Sequence, residues 1–290
     1  MANLKEIRNR ISSVSSTKQI TSAMKMVSAA KLRKSQGAIV QLRPYAQLMN
    51  EVVCRLTDSN IEDITYIKAK KIEKKVLLIP LTSNKGLCST FNSSIIKLTK
   101  QRINKHLAEG KEVYLQSFGK KGDSAFKYIQ DINYLGSNDE IWDSLSFENI
   151  SLLADNLLQE YVKGTYDRVE IIYNQFKNAA VQEPKTDSFL PFDLTTIKTK
   201  DKSTNNNYIF EPNKTDILQS IIPLFLHTKM YRCFLDSFTS EHAARMTSMN
   251  KATDNAQELL SDLTLTYNKL RQASITNEII EICSGANALS

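Results

Sequence analysis

Before residue 37 the chain contains neither glycine nor proline, and between Pro223 and Gly285 it again contains neither. Ends so poor in chain breakers exclude turn-rich β architectures there and leave long helices. Long apolar runs are also missing. No stretch approaches the ~20 residues of a membrane-spanning helix, and the start, "MANLKEIRNRISSV", has no apolar segment followed by a cleavage site, so no signal peptide is expected. The four cysteines, Cys54, Cys88, Cys233 and Cys283, stand far apart. Such scatter excludes a disulfide scaffold or a zinc knuckle and fits a reducing compartment. The three histidines, His106, His227 and His242, share no ligand spacing with one another or with cysteine, which argues against a metal site.

What is present is a charge asymmetry. Residues 1–57 hold ten basic side chains against two acidic ones, a net +8, whereas the rest of the chain sums to −1. A basic end of this kind points to an anionic partner: nucleic acid, a membrane surface or an acidic protein face. The N-terminal helix places Leu4, Ile7, Ile11 and Val14 at alternating steps of three and four, then passes through Ile20, Met24 and Val27. The C-terminal helix runs Ala252, Ala256, Leu259, Leu263, Tyr267 and Leu270, then Ile275, Ile279, Ile282, Ala286 and Leu289. Both stripes are narrow and close to a 3.5-residue period, so the two ends are expected to pair as one antiparallel coiled coil reaching roughly 80–90 Å.

The middle carries six of the eight glycines, from Gly86 to Gly164, and alternates in type. "KKVLLIPLTS", "EVYLQSFG" and "YDRVEIIYNQF" read as strands. "FNSSIIKLTKQRINKHLAEG", "AFKYIQD" and "SFENISLLADNLLQEYVKG" read as helices, the last with Ser146 as N-cap and Gly164 as stop. Strand–helix–strand order predicts a parallel-type, Rossmann-like α/β domain over 74–212, between helices over 1–57 and 213–290. "KTKDKSTNNN", residues 198–207, is expected to be an exposed loop, and Thr215 or Asp216 to cap the last helix.

No catalytic constellation assembles from these residues. "GKKGDS" lacks the spacing of a phosphate-binding loop, and "TSNKGLCS", although placed after a strand, carries no nucleophile–base pair. Two readings of different class therefore stand. A nucleic-acid binder would track phosphates with the basic arm, yet Tyr45 is the arm's only aromatic residue. A mechanical subunit would fit long helices inside a partner, and expects narrow stripes and small residues. "SEHAARMTSMNKATDNAQELL", residues 240–260, suits the second: Ala243, Met246, Met249, Ala252 and Ala256 form a slim seam, with Arg245 expected to point away from it.

"LKEIRNRISSVSSTKQITSAMKMVSAAKLRKSQ" at the start, "SEHAARMTSMNKATDNA" with "YNKLRQASITNEIIEICSGANAL" at the end, and the turn "LTSNKGLCSTFN" resemble the ATP synthase gamma subunit family. The resemblance covers the whole chain. It implies a non-catalytic rotor with no cofactor or metal of its own. Its coiled coil would turn within a ring of alpha and beta subunits, its α/β domain standing near the epsilon subunit and the c-ring. The shaft would couple proton flow to the beta catalytic sites, at the cytoplasmic face of the bacterial inner membrane, peripheral and without a transmembrane segment. By position, the resemblance implies beta-subunit contacts at Arg271, Gln272, Thr276, Arg245, Lys85 and Cys88. It also implies a shaft-seam role for Met24 beside Met246 and Met249, and a foot position near the c-ring for Glu211. The chain departs from the family at Asn84, where Asp is usual, and at Ser89 and Thr90, where a glycine pair is usual. Losing two glycines restricts access to positive φ in that loop.

Overall fold

The computed structural model describes residues 4–56, 73–192 and 214–289. In chain order it contains α1 (Leu4–Leu56), β1 (Lys75–Pro80), α2 (Phe91–Ala108), β2 (Glu112–Ser117), α3 (Lys120–Phe126), β3 (Asn133–Ser137), a 3-10 turn (Glu140–Trp142), α4 (Phe147–Lys163), β4 (Arg168–Phe176), β5 (Gln182–Leu190) and α5 (Lys214–Leu289). By proximity of Cα atoms the chain divides into two compact units, Met1–Ala29 with Arg245–Ser290, and Ala30–Ala244. The boundaries expected at 57, 74 and 212 follow element type, whereas this division passes through α1 and α5.

The unit Ala30–Ala244 is built on a five-stranded sheet in the order β3-β2-β1-β4-β5. The first four strands are parallel and β5 returns antiparallel beside β4. β1 lies at the centre, and its alternate residues fill two cores. Val76 and Leu78 join Ile95 and Ile103 of α2 and Phe126 of α3 on one face. Leu77 and Ile79 join Ile150, Ala154 and Leu158 of α4, Val53 and Leu56 of α1, and Ile222, Leu226 and Phe234 of α5 on the other. α4 is bounded as its sequence dictates: Ser146 Oγ accepts from the Asn149 N–H at 3.2 Å, and Gly164 closes the helix at φ 80°.

Three features differ from the sequence reading. The helix expected over "AFKYIQD" instead occupies Lys120–Phe126, overlapping it only at Ala125 and Phe126. Its start is fixed from outside, because Thr82 Oγ1 accepts from the Gly122 N–H and Asn84 Oδ1 from the Lys120 N–H. β3 and β5 had no clear periodic signal; each is an edge strand held by the sheet, and β5 carries Pro184, which such a position tolerates. Finally, α5, close to the 213–290 expected of it, runs 76 residues, about 114 Å along its helix axis against the roughly 80–90 Å expected, with Pro223 inside it. Leu218, Ile222 and Leu226, all at most 1% exposed, hold the helix together across that proline. The caps expected at Thr215 and Asp216, the loop at 198–207 and Glu211 lie outside the residues whose side chains are described.

Candidate functional site

The unit of Met1–Ala29 and Arg245–Ser290 is an antiparallel helix pair. Thr253 Oγ1 donates to Thr21 Oγ1 at 3.0 Å, and Lys18 Nζ donates to Gln257 Oε1. Three residues forward along α1 thus meet four residues back along α5. The inward positions of α1 here are Leu4, Ile7, Ile11, Val14, Lys18, Thr21, Lys25 and Ser28, an unbroken heptad series whose second half is polar or small. Ile20 and Val27, expected in the seam, are 60% and 58% exposed. The heptad register, not hydrophobicity, decides which residues face inward, so two apolar side chains are turned out and two lysines partly in. On α5 the seam takes Leu260 rather than Leu259, which is exposed. Met249 and Ala256 are buried, while Met24, Met246 and Ala252 are half-buried.

Carried to Leu4, the same register reaches the neighbourhood of Arg271. From Ile275 onward no described residue of α1 stands opposite, and every residue from Ile275 to Asn287 is exposed. The expected continuation of the coiled-coil stripe through Ile275, Ile279 and Ile282 is therefore corrected: these side chains lie on a single helix, 48–71% exposed. Arg271, Gln272 and Thr276 sit at this transition, all exposed, with Thr276 Oγ1 donating to the Gln272 carbonyl at 2.9 Å. Arg245, expected to point outward, is instead 6% exposed.

The loop between β1 and α2 is tightly tied. Ser83 Oγ donates to the Lys85 carbonyl at 2.7 Å, and Asn92 Nδ2 donates to Ser83 Oγ at 2.8 Å and to Cys88 Sγ at 3.2 Å. Cys88 is buried against Phe91 and Ala244, whereas Lys85 and Leu87 are exposed. Asn84 does what aspartate cannot: its Nδ2 donates to the Asp139 carbonyl at 2.9 Å, while its Oδ1 accepts from Lys120. Of the two positions where glycine is usual, Ser89 adopts φ 53° and Thr90 an ordinary φ of −83°. Only the first carries backbone strain, and Leu87 at φ 63° carries more. Replacing Ser89 with glycine is therefore expected to stabilise the domain by roughly 1 kcal/mol, read as a higher urea midpoint with unchanged slope, while Thr90→Gly destabilises it.

A charged cluster that the sequence reading did not single out lies at the other end of the strands, where β1, β2 and β4 begin. Glu170 of β4 is fully buried and accepts from Arg102 Nε at 2.9 Å, Arg102 Nη2 at 2.7 Å and Arg168 Nε at 2.8 Å. His106 Nε2 lies 3.4 Å away, and Glu73 bridges Arg168 and Lys111. Burial pushes the Glu170 carboxyl up, but His106 and Arg102 outweigh it and hold it down at about 2. The available signal was a lone acid inside the apolar run "VEIIY". The cluster presents no nucleophile, and among the described residues no group of three His, Cys, Asp or Glu side chains could hold a metal ion.

The two ends of the chain thus form an antiparallel two-helix coiled coil, and its middle a mostly parallel five-stranded α/β domain. A family model described as ATP synthase matches residues 3–289. The ATP synthase gamma chain of Flavobacterium johnsoniae is 51% identical over 292 residues, covering all of both chains. That of Bdellovibrio bacteriovorus is 41% identical, covering 100% of this chain and 99% of its own. The chain belongs to the ATP synthase gamma chain family. Among solved structures, a chain of the Tetrahymena thermophila mitochondrial ATP synthase central stalk and c-ring is 27% identical, with TM-score 0.57, covering 80% of this chain and 99% of its own. A chain of the Euglena gracilis mitochondrial ATP synthase, in a structure of OSCP, F1 and c-ring, has TM-score 0.66 at 21% identity over 99% and 94% of the two chains, a likeness of fold alone. No helix of the described residues is long and apolar enough to cross a membrane.

Proposed function

We propose that this chain is the central rotor shaft of an F-type ATP synthase, coupling proton-driven rotation of the c-ring to the cycling of the beta catalytic sites without itself catalysing. The observation that carries the proposal is the single-helix end of α5. It presents Ile275, Ile279, Ile280 and Ile282 to solvent, apolar surface that a surrounding sleeve would cover. The alpha and beta subunits supply that sleeve in this reading. Epsilon and the c-ring would be met by the α/β domain, with Glu211 on the c-ring side. The chain would be peripheral, at the cytoplasmic face of the bacterial inner membrane. The nucleic-acid alternative has nothing further in its favour, since the basic arm gains no aromatic platform.

Arg271, Gln272 and Thr276 are the foremost candidates for exchangeable polar contacts with beta, because they are exposed just where the pair gives way to one helix. Lys85 is exposed and suits a contact with an acidic surface, while Cys88 supports the loop from within. Arg245, being buried, serves such a contact through the shape it holds or after a side-chain rearrangement. Met24, Met246 and Met249 stand as shaft-seam residues.

Co-expression with the alpha and beta subunits of the same genome tests the reading, with RNA binding measured in parallel. Co-purification in a complex whose ATP hydrolysis pumps protons in vesicles is expected, and Arg271→Ala with Gln272→Ala should lower pumping by about tenfold, the loss of one good polar contact. Failure to co-purify, together with RNA binding that weakens steeply with salt, would overturn it. Charge alone is tested at Arg8 and Lys31, both exposed, and not at Lys18 or Lys25, which are half-buried in the seam. If the basic face transmits torque, Arg8→Gln with Lys31→Gln lowers coupled synthesis at low salt; unchanged coupling rules that role out.

A further inference from the structure

A cleft of about 320 Å³ opens within the unit Ala30–Ala244, between the second half of α1, the end of β4 and α5. Its walls include Leu42, Ala46 and Phe176, and it is lined also by Arg43, Arg232 and Asp236. The two arginines are exposed, whereas Asp236 is only 5% exposed. Carboxylates at such depth are ordinarily paired, because an unpaired buried charge is costly. Asp236 makes no hydrogen bond or ion pair among the described residues; burial pushes its carboxyl up, and Arg232, Arg43 and Lys185 act against that electrostatically. The space is too large for one bridging water, whose share of the liquid is about 30 Å³, and it falls at the small end of ligand-pocket volumes.

We propose that this cleft binds a small amino-carboxylate zwitterion of the size of leucine, its ammonium on Asp236, its carboxylate between Arg43 and Arg232, and its apolar side chain against Leu42 and Phe176. The charge layout selects this class. An anion alone would satisfy the arginines and leave the buried acid without a donor. A cation alone would meet Asp236 but enter past two guanidinium groups. A molecule with both ends leaves neither unanswered, and the apolar walls favour a hydrocarbon body over inorganic phosphate.

The test is calorimetric titration of the purified full chain with L-leucine, 4-methylpentanoate, which lacks the ammonium, and 3-methylbutylamine, which lacks the carboxylate. Leucine is expected to bind at least about tenfold more tightly than either. Asp236→Asn should erase its advantage over 4-methylpentanoate, and Arg43→Gln with Arg232→Gln its advantage over 3-methylbutylamine. Ala46→Phe, which fills the cleft from its half-buried position in the lining, should abolish all binding while circular dichroism shows the fold retained. Equal binding of leucine and 4-methylpentanoate would make this a plain anion site and overturn the proposal. So would the absence of binding by all three up to about 10 mM, far weaker than a site needs. Neither result bears on the rotor reading, which is read from co-purification and proton pumping.

Discussion

Gly119→Ala is expected to unfold the α/β domain, or to lower its stability by more than about 4 kcal/mol, a large part of the 5–15 kcal/mol that such a domain possesses. Gly119 lies between β2 and α3 at φ 104°, a conformation costly for any residue with a Cβ. A Cβ built there meets the Thr82 carbonyl oxygen at 2.3 Å, its carbon at 2.7 Å and Thr82 Oγ1 at 2.9 Å. Backbone, not a flexible side chain, is in the way. Thr82 cannot retreat, because its N–H donates to the Phe118 carbonyl at 2.8 Å and its Oγ1 accepts from the Gly122 N–H at 2.9 Å. This knot joins the ends of β1 and β2 and starts α3. Urea unfolding followed by Trp142 fluorescence would check the expectation; a midpoint near that of the native chain would refute it.

Removing the Glu170 charge comes next in size. Glu170→Gln is expected to cost about 3–5 kcal/mol, because Arg102 and Arg168 lose the buried anion that neutralises them. Arg102 engages both carboxylate oxygens through Nε and Nη2, a fork that a glutamine amide cannot satisfy, since its nitrogen is a donor. The same interaction sets an acid limit. With the folded carboxyl held at about 2 against an unfolded value of 4.5, the group's contribution is fully present above pH ~4.5 and is lost as pH falls towards 2. That contribution is roughly 3 kcal/mol. In Glu170→Gln, stability should therefore fall less steeply between pH 4.5 and 2 than in the native chain. Parallel curves would show that the carboxylate does not carry the effect.

The two glycines usual in the β1–α2 loop show how far a motif can drift. Asn84 replaces an acid with a side chain that both donates and accepts, and so ties the loop to Asp139 and Lys120 at once. Ser89 adopts the left-handed backbone that glycine would take freely, whereas Thr90 does not. The loop holds two positive-φ residues, Leu87 at 63° and Ser89 at 53°, neither of them glycine.

Much of this could be read in the sequence because it is written in local terms. Ser146 and Gly164 bound α4 through hydrogen bonds made within a few residues, and the unbroken apolar run of β1 declares a strand buried on both faces. Scarcity of glycine and proline determines the long terminal helices, and the ordered motifs at both ends place the chain in its family. Tertiary structure alone decided what depends on register and on distant partners. Which side chains of α1 enter the seam follows from the Thr21–Thr253 and Lys18–Gln257 contacts, so Ile20 and Val27 are turned out although they are apolar. β3 and β5 exist because neighbouring strands offer them edges, and α3 begins where Thr82 and Asn84, about 40 residues earlier, accept its first N–H groups. Hydrophobic periodicity is a property of neighbouring residues and survives in one dimension; the choice of partner across 200 residues is not, and only the folded chain makes it.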